Sequence, residues 1–170
     1  MTTDEVSLLE HLDVSQVNCL NEQHDHDLKS IVASRRINPP ESSIYLASDA
    51  DEQLLINIHF NQAVRVRKLI IRCKTPSNGP KTIKLCVNKA AISFSDVEDS
   101  MFVQVLELST DDLKGKPIPL RFVRFQSVNS LHIFVESNQG GEDETRIDAI
   151  DALGIPVEAT KDLSGLGEGD

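Results

Sequence analysis

From Leu54 onward the chain alternates: Leu54, Ile56, Ile58 and Phe60 interleave with Leu55, Asn57, His59 and Asn61. A period of two sends successive side chains to opposite faces, so this run predicts a half-buried β-strand. After Asn61-Gln62-Ala63, Val64 and Val66 interleave with Arg65 and Arg67, which predicts a second strand returning antiparallel to the first. The phase then slips, because Leu69 and Ile71 are out of step with Val64 and Val66. A β-bulge near Arg67-Lys68, or a strand covered on both faces, accounts for the slip.

Strand signals dominate the rest of the chain, over 43–47, 53–60, 64–74, 81–88, 102–108, 118–127, 130–137 and 146–155. This spacing belongs to a sandwich or barrel rather than to βαβ units. Ahead of it, Leu8, Leu9 and Leu12 fit one or two helical turns, and Asp27 to Arg35 a short helix ended before Asn38-Pro39-Pro40. Ser77-Asn78-Gly79-Pro80 predicts a tight hairpin turn with positive φ, and Gly140-Gly141 another. Asp111-Asp112 is placed to cap a helical turn before Gly115. Over 146–155, Ile147, Ile150 and Leu153 are spaced by three and followed by Gly154, so an amphipathic helix competes with the strand. Asp148 and Asp151 would line the wet face of that helix.

Composition narrows the class. With 170 residues, 39% apolar and 26% charged, the chain reads as one globular domain over 1–160, with a flexible acidic tail at 161–170. No apolar run approaches the ~20 residues that cross a bilayer, and the opening residues MTTDEVSLLEHLD lack the basic and apolar regions of a secretory signal. Cys19, Cys73 and Cys86 form no CxxC, which suits a reducing compartment, the cytoplasm with the nucleus also permitted, and Cys73 and Cys86 are expected as buried thiols inside strands. A net charge of −10 argues against nucleic acid as a partner. The charge is uneven: Gln53 to Ser95 holds eight basic residues and no acid, leaving nine basic against 27 acidic residues elsewhere. Such a stripe can steer an acidic partner onto one face, although lysines on solvated strand edges give the same pattern.

Catalytic chemistry finds little support. His24-Asp25-His26-Asp27 offers two imidazoles, but zinc asks for three or four ligands and no nearby Cys/His pair supplies them. The acids Asp49, Asp51 and Glu52, and again Glu142, Asp143 and Glu144, lack the twelve-residue rhythm of an EF-hand and read as solvated turns. His59 and His132 fall within strands without a visible ligand set. There is no GxSxG, GxGxxG or P-loop. The expectation is a non-enzyme with no cofactor and no metal.

A series of phrases carries a family resemblance. They are Cys19-Leu20-Asn21, Ser48-Asp49-Ala50-Asp51-Glu52-Gln53-Leu54-Leu55-Ile56, Phe60-Asn61-Gln62, Gly79-Pro80-Lys81 with Ile83-Lys84, and Leu106-Glu107-Leu108-Ser109 with Leu113-Lys114-Gly115. Val123-Arg124-Phe125-Gln126, Leu131-His132-Ile133-Phe134-Val135 and Asn138-Gln139-Gly140 follow. Taken in order, they resemble the PITH domain, the proteasome-interacting module of thioredoxin-like proteins. The resemblance implies an all-β, jelly-roll-like β-sandwich, similar to galactose-binding domains, with short N-terminal helical turns. It resolves 146–155 as a strand. It also implies a monomer that docks to the 26S proteasome regulatory particle or a related protein assembly, without membrane or nucleic-acid partners. Family members either follow a thioredoxin domain or stand nearly alone, and this chain fits the free-standing form or an excised C-terminal domain. The expected contacts are Arg65, Arg67, Lys68, Arg72 and Lys74 on the basic stripe, and Asn138 and Gln139 in a loop. The alternative is a small-ligand or carbohydrate receptor using the loop end of the sandwich; the absence of Trp and the single Tyr45 weigh against it. A redox sensor at Cys19 would require a low thiol pKa.

Overall fold

The computed structural model describes residues 5–157; the acidic tail expected at 161–170 lies outside them. Ten strands run in the order β1 (Val6–Ser7), β2 (Asn18–Leu20), β3 (Leu46–Ala47), β4 (Leu54–Arg72), β5 (Thr82–Val87), β6 (Gln104–Glu107), β7 (Ile118–Pro119), β8 (Val128–Val135), β9 (Arg146–Ile147) and β10 (Ala149–Pro156). Among the described residues, the short helix α1 (Leu28–Val32) and several 3₁₀ turns connect them. The main ladder has the order β1-β10-β4-β8-β5-β6, with β2 and β7 also paired to β4, while β3 and β9 form a separate pair. Every pairing is antiparallel. The fold is all-β and antiparallel, as expected.

Strand β4 is the spine. Its first half lies between β2 and β8, and its second half beside β10 and β7. Leu54, Ile56 and Ile58 from one half and Val64, Val66, Leu69 and Ile71 from the other are buried in one core cluster, so the ladder is folded over a common interior. The antiparallel return expected after Asn61-Gln62-Ala63 is therefore a bend within a continuous strand. Pairing with β8 moves from His59↔Ser130 to Val64↔Val128, five steps on β4 against two on β8. The polar link absorbs the surplus, which is why it read as a turn.

The slip at Arg67-Lys68 is the expected bulge. Leu153 pairs with Lys68 and Gly154 with Val66, so Arg67 has no opposite number on β10. Two consecutive residues then face outward, and the core phase resumes at Leu69. Gly154 sits at this junction because a Cβ there would lie 1.8 Å from the Arg65 carbonyl oxygen. Segment 146–155 is extended, not helical. Asp148 and Asp151 are buried, 1% and 5% exposed, rather than wet.

Several local readings need correction. β4 and β5 both pair with β8 and not with each other, so Ser77-Asn78-Gly79-Pro80 is no hairpin turn. Pro76–Asn78 form a 3₁₀ turn, and Gly79 has an ordinary φ of −74°. What glycine provides there is room, since a Cβ would meet Leu113 Cδ1 at 2.3 Å. Of the pair Gly140-Gly141, Gly141 has φ +64°, which favours glycine. The turn before Gly115 is capped reciprocally: Ser109 N–H donates to the Asp112 carboxylate at 2.9 Å, and Asp112 N–H to Ser109 Oγ at 3.2 Å. At the N-terminus the two helical readings hold as a 3₁₀ turn at Leu8–His11 and as α1, whose cap Asp27 accepts from Ser30 N–H at 3.0 Å. The strand expected over 118–127 shrinks to β7, followed by a 3₁₀ turn at Phe122–Arg124.

Candidate functional site

The outward face of β4's second half gathers the basic stripe. Val64, Val66, Leu69 and Ile71 point into the core, so Arg65, Arg67, Lys68 and Arg72 are left on the opposite face, each half-buried. Their environments divide them. Lys68 Nζ pairs with Glu5 at 3.3 Å. The Arg72 guanidinium donates to the Asn38 carbonyl, and Lys74 Nζ, just past the strand, donates to the Ser42 carbonyl. These two side chains fasten the 38–42 connection to the sheet. Arg65 and Arg67 make no ion pair among the described residues, and their buried Nε atoms find no hydrogen-bond acceptor there. Leaving such donors unmet costs roughly 1–3 kcal/mol each.

Asn138 and Gln139 face inward. Asn138 is 3% exposed; its Nδ2 donates to the carbonyls of Glu142 and Glu144 and to Thr145 Oγ1, and its Oδ1 accepts from Glu142 N–H at 2.8 Å. Gln139 Nε2 donates to the carbonyls of Pro80 and Leu108 at 2.9 and 2.6 Å. Their amides shape the loop and have little capacity left for a partner.

Several of the histidines and acids have structural partners. His26 stacks on Tyr45 with ring centroids 4.0 Å apart, and the Arg146 guanidinium covers the same ring at 3.8 Å. Arg146 also holds the buried Asp148 carboxylate through Nε at 3.1 Å and Nη2 at 2.9 Å. Asp51 accepts from Asn21 Nδ2 and Gln53 N–H, and Glu144 from Gln23 Nε2. His132 is buried on the other face of the ladder, bonded through Nδ1 to Asn57 Oδ1 at 2.6 Å and through Nε2 to the Lys89 N–H at 3.3 Å. A backbone N–H can only donate, so Nε2 is the acceptor and Nδ1 carries the proton. Desolvation lowers the His132 pKa to about 4, with neighbouring His59 adding to the effect. All three cysteines are free and buried. Burial pushes the Cys19 thiol well above its ordinary value and Cys86 up to about 11, against a reactive thiolate at Cys19.

Two features escaped the sequence reading. One is a cleft of about 690 Å³ on the outward side of β5 and β8, lined by Asn21, Asp51, Lys84, Phe94, Phe134 and Glu136 among others. Segment 88–103 walls it, burying Ile92, Val97, Met101 and Phe102 against Leu55, Cys86 and Phe134 in a second small core. The other is a knob beside the basic stripe. Leu120 N–H donates to the Arg67 carbonyl and Val66 N–H to the Phe125 carbonyl, so both ends of the 121–124 turn are stitched to β4. Phe125 is fully buried, whereas Phe122 and Val123 stand 55% and 68% exposed. The sequence signal was two adjacent apolar residues between Arg121 and Arg124, a pairing that breaks strand alternation.

By architecture this is a β-sandwich of the galactose-binding class. It is similar to the family 32 CBM from C. perfringens NanJ in complex with galactose, with a TM-score of 0.61 at 10% identity, covering 88% of this chain and 98% of that one. It is also similar to an f-lectin (fucolectin) from striped bass, Morone saxatilis, serum, at TM-score 0.60 and 6% identity over 91% of this chain and 50% of that one. Identities this low show the fold alone. Residues 1–168 match the PITH domain, and the chain belongs to that family. It is 46% identical over 150 residues to thioredoxin-like protein 1 of Schizosaccharomyces pombe, covering 84% of this chain and 49% of that protein. PITH domain-containing protein 1 of Danio rerio is 32% identical over 155 residues, 91% of this chain and 72% of the relative. The chain thus spans about half the length of the thioredoxin-like relative.

Proposed function

We propose that this chain is a non-catalytic docking module that attaches to the 26S proteasome regulatory particle or a related protein assembly. Family membership motivates the reading, and one observation carries it. Arg65 and Arg67 present cations on a rigid strand without an ion-pair partner among the described residues. In a chain of net charge −10, that face is where an acidic protein surface is drawn in. Lys68, Arg72 and Lys74 extend the positive field while bracing the backbone, and Asn138 and Gln139 contribute by shaping their loop. A monomer in the cytoplasm or nucleus is part of the same proposal.

Pull-down from cell extract with quantitative mass spectrometry tests it. Regulatory-particle subunits should be enriched by the wild type, and less so as salt rises through the physiological range, where charges are screened beyond ~8 Å. An R65E/R67E variant should lose the enrichment while remaining folded. Equal recovery of the particle by that variant removes the stripe from the account; no enrichment by the wild type removes the docking reading.

A further inference from the structure

We propose that Phe122 and Val123, flanked in the chain by Arg121 and Arg124 and stitched to the strand that carries Arg65 and Arg67, form a preformed apolar anchor that inserts into an apolar pocket rimmed by carboxylates on a protein partner. The inference rests on the docking reading and adds the contact's chemistry. Phe122 and Val123 are adjacent in the chain and, at 55% and 68%, the most exposed large apolar side chains among the described residues. The fully buried Phe125 already anchors the turn to the interior.

The turn is also rigid, which separates an anchor from a floppy loop. Arg124 N–H donates to the Arg121 carbonyl and Phe125 N–H to the Phe122 carbonyl, both at 2.9 Å. Gln126 Nε2 donates to the Phe122 carbonyl at 2.9 Å, and Arg121 N–H donates to Gln104 Oε1 on β6 at 2.8 Å. Together with the two stitches to Val66 and Arg67, the turn is fixed to two strands. Little entropy is then lost on binding, and an aromatic side chain held in place is the usual centre of interface energy.

Charge complementarity selects the occupant. All four arginines lack ion-pair partners among the described residues. Cations flanking an apolar pair match a pocket whose rim is acidic: the rim charges orient the encounter, and the apolar pair supplies the dwell time. An anionic bilayer offers negative charge too, but two side chains give it little apolar area, and the chain's net charge of −10 is repelled by such a surface.

The test uses purified 26S regulatory particle with wild type, F122S/V123S and R121E/R124E. Because both apolar residues are exposed, F122S/V123S should keep the wild-type melting midpoint. It should bind the particle about tenfold more weakly or worse, with the salt dependence retained. R121E/R124E should also bind more weakly, with a flattened salt dependence. Wild-type binding matched by F122S/V123S overturns the anchor and leaves the docking reading standing. A wild type that ignores the particle sinks that reading, and the anchor with it. Sedimentation with phosphatidylserine vesicles, or self-association lost on F122S/V123S, would assign the residues to a bilayer or a second copy and overturn a protein partner of the stated kind.

Discussion

The two halves of β4 use the same inward chemistry and opposite outward chemistry. Inward, Leu54, Ile56 and Ile58 on one half, and Val64, Val66, Leu69 and Ile71 on the other, fill one core. Outward, the first half presents Leu55 and Asn57, which join Phe134, Cys86 and His132 beneath segment 88–103. The second half presents Arg65, Arg67, Lys68 and Arg72, flanked by the Phe122–Val123 knob. The first half's outward face is closed by the chain itself, whereas the second half's basic side chains are half-buried, with Lys68 and Arg72 engaged locally and Arg65 and Arg67 without an ion-pair partner among the described residues. That contrast is why the docking proposal is placed on the second half.

The largest test of the contrast removes the lid's foundation. Phe134 is 5% exposed and stacks on Phe102 at 6.1 Å. Phe134→Ala should cost about 3–5 kcal/mol in denaturant unfolding, while leaving intrinsic affinity for the regulatory particle intact in the folded fraction. A loss below ~1 kcal/mol would mean that the second core is ornamental.

Next comes the bulge. Gly154→Ala drives a Cβ into the Arg65 carbonyl at 1.8 Å, a backbone contact that cannot swing away. Destabilisation of about 3 kcal/mol is expected, and here binding should fall too, because the bulge aims Arg67. Unchanged stability would show that the Arg65–Gly154 approach is looser than described.

The smallest effect is a pH dependence confined to the covered face. His132 is neutral when folded, its pKa lowered from 6.5 to about 4 chiefly by burial. The unfolded chain therefore binds more protons between those values, and stability is complete above pH ~6.5 and falls as pH drops toward 4. The loss is on the order of 2 kcal/mol. Asp151, whose carboxyl pKa burial raises, acts in the opposite sense, so the informative quantity is wild type minus His132→Gln. The variant should start less stable and lose less on acidification; parallel melting curves over that window would remove His132 as the cause.

Local physics was legible wherever one residue type had one job. Alternation gave the inward face of β4, the phase slip gave the bulge at Arg67, and the run from Asp27 gave the short helix α1. What failed depended on distant partners. Asn61-Gln62-Ala63 reads alike as a turn and as a bend, and only the positions of β8 and β10 decide. Asn138 and Gln139 were assigned to a partner because amides serve water and backbone equally well, and here the backbone of Glu142, Pro80 and Leu108 consumes them. Arginines were counted alike from sequence, yet Arg72 is engaged by Asn38 and Arg65 is not. Val123 and Phe125 kept strand phase, which hid the 3₁₀ turn that pushes Phe122 into solvent.

Because β4 threads both layers without interruption, the sandwich has no seam along which it could part. Leu54–Ile58 and Val64–Ile71 are carried on the same backbone and in the same core, so a displacement of one half is transmitted directly to the other. Arg65, Arg67, Lys68 and Arg72 are thereby mounted on the strand that supplies much of the core, and a force applied to them passes straight into the centre of the molecule.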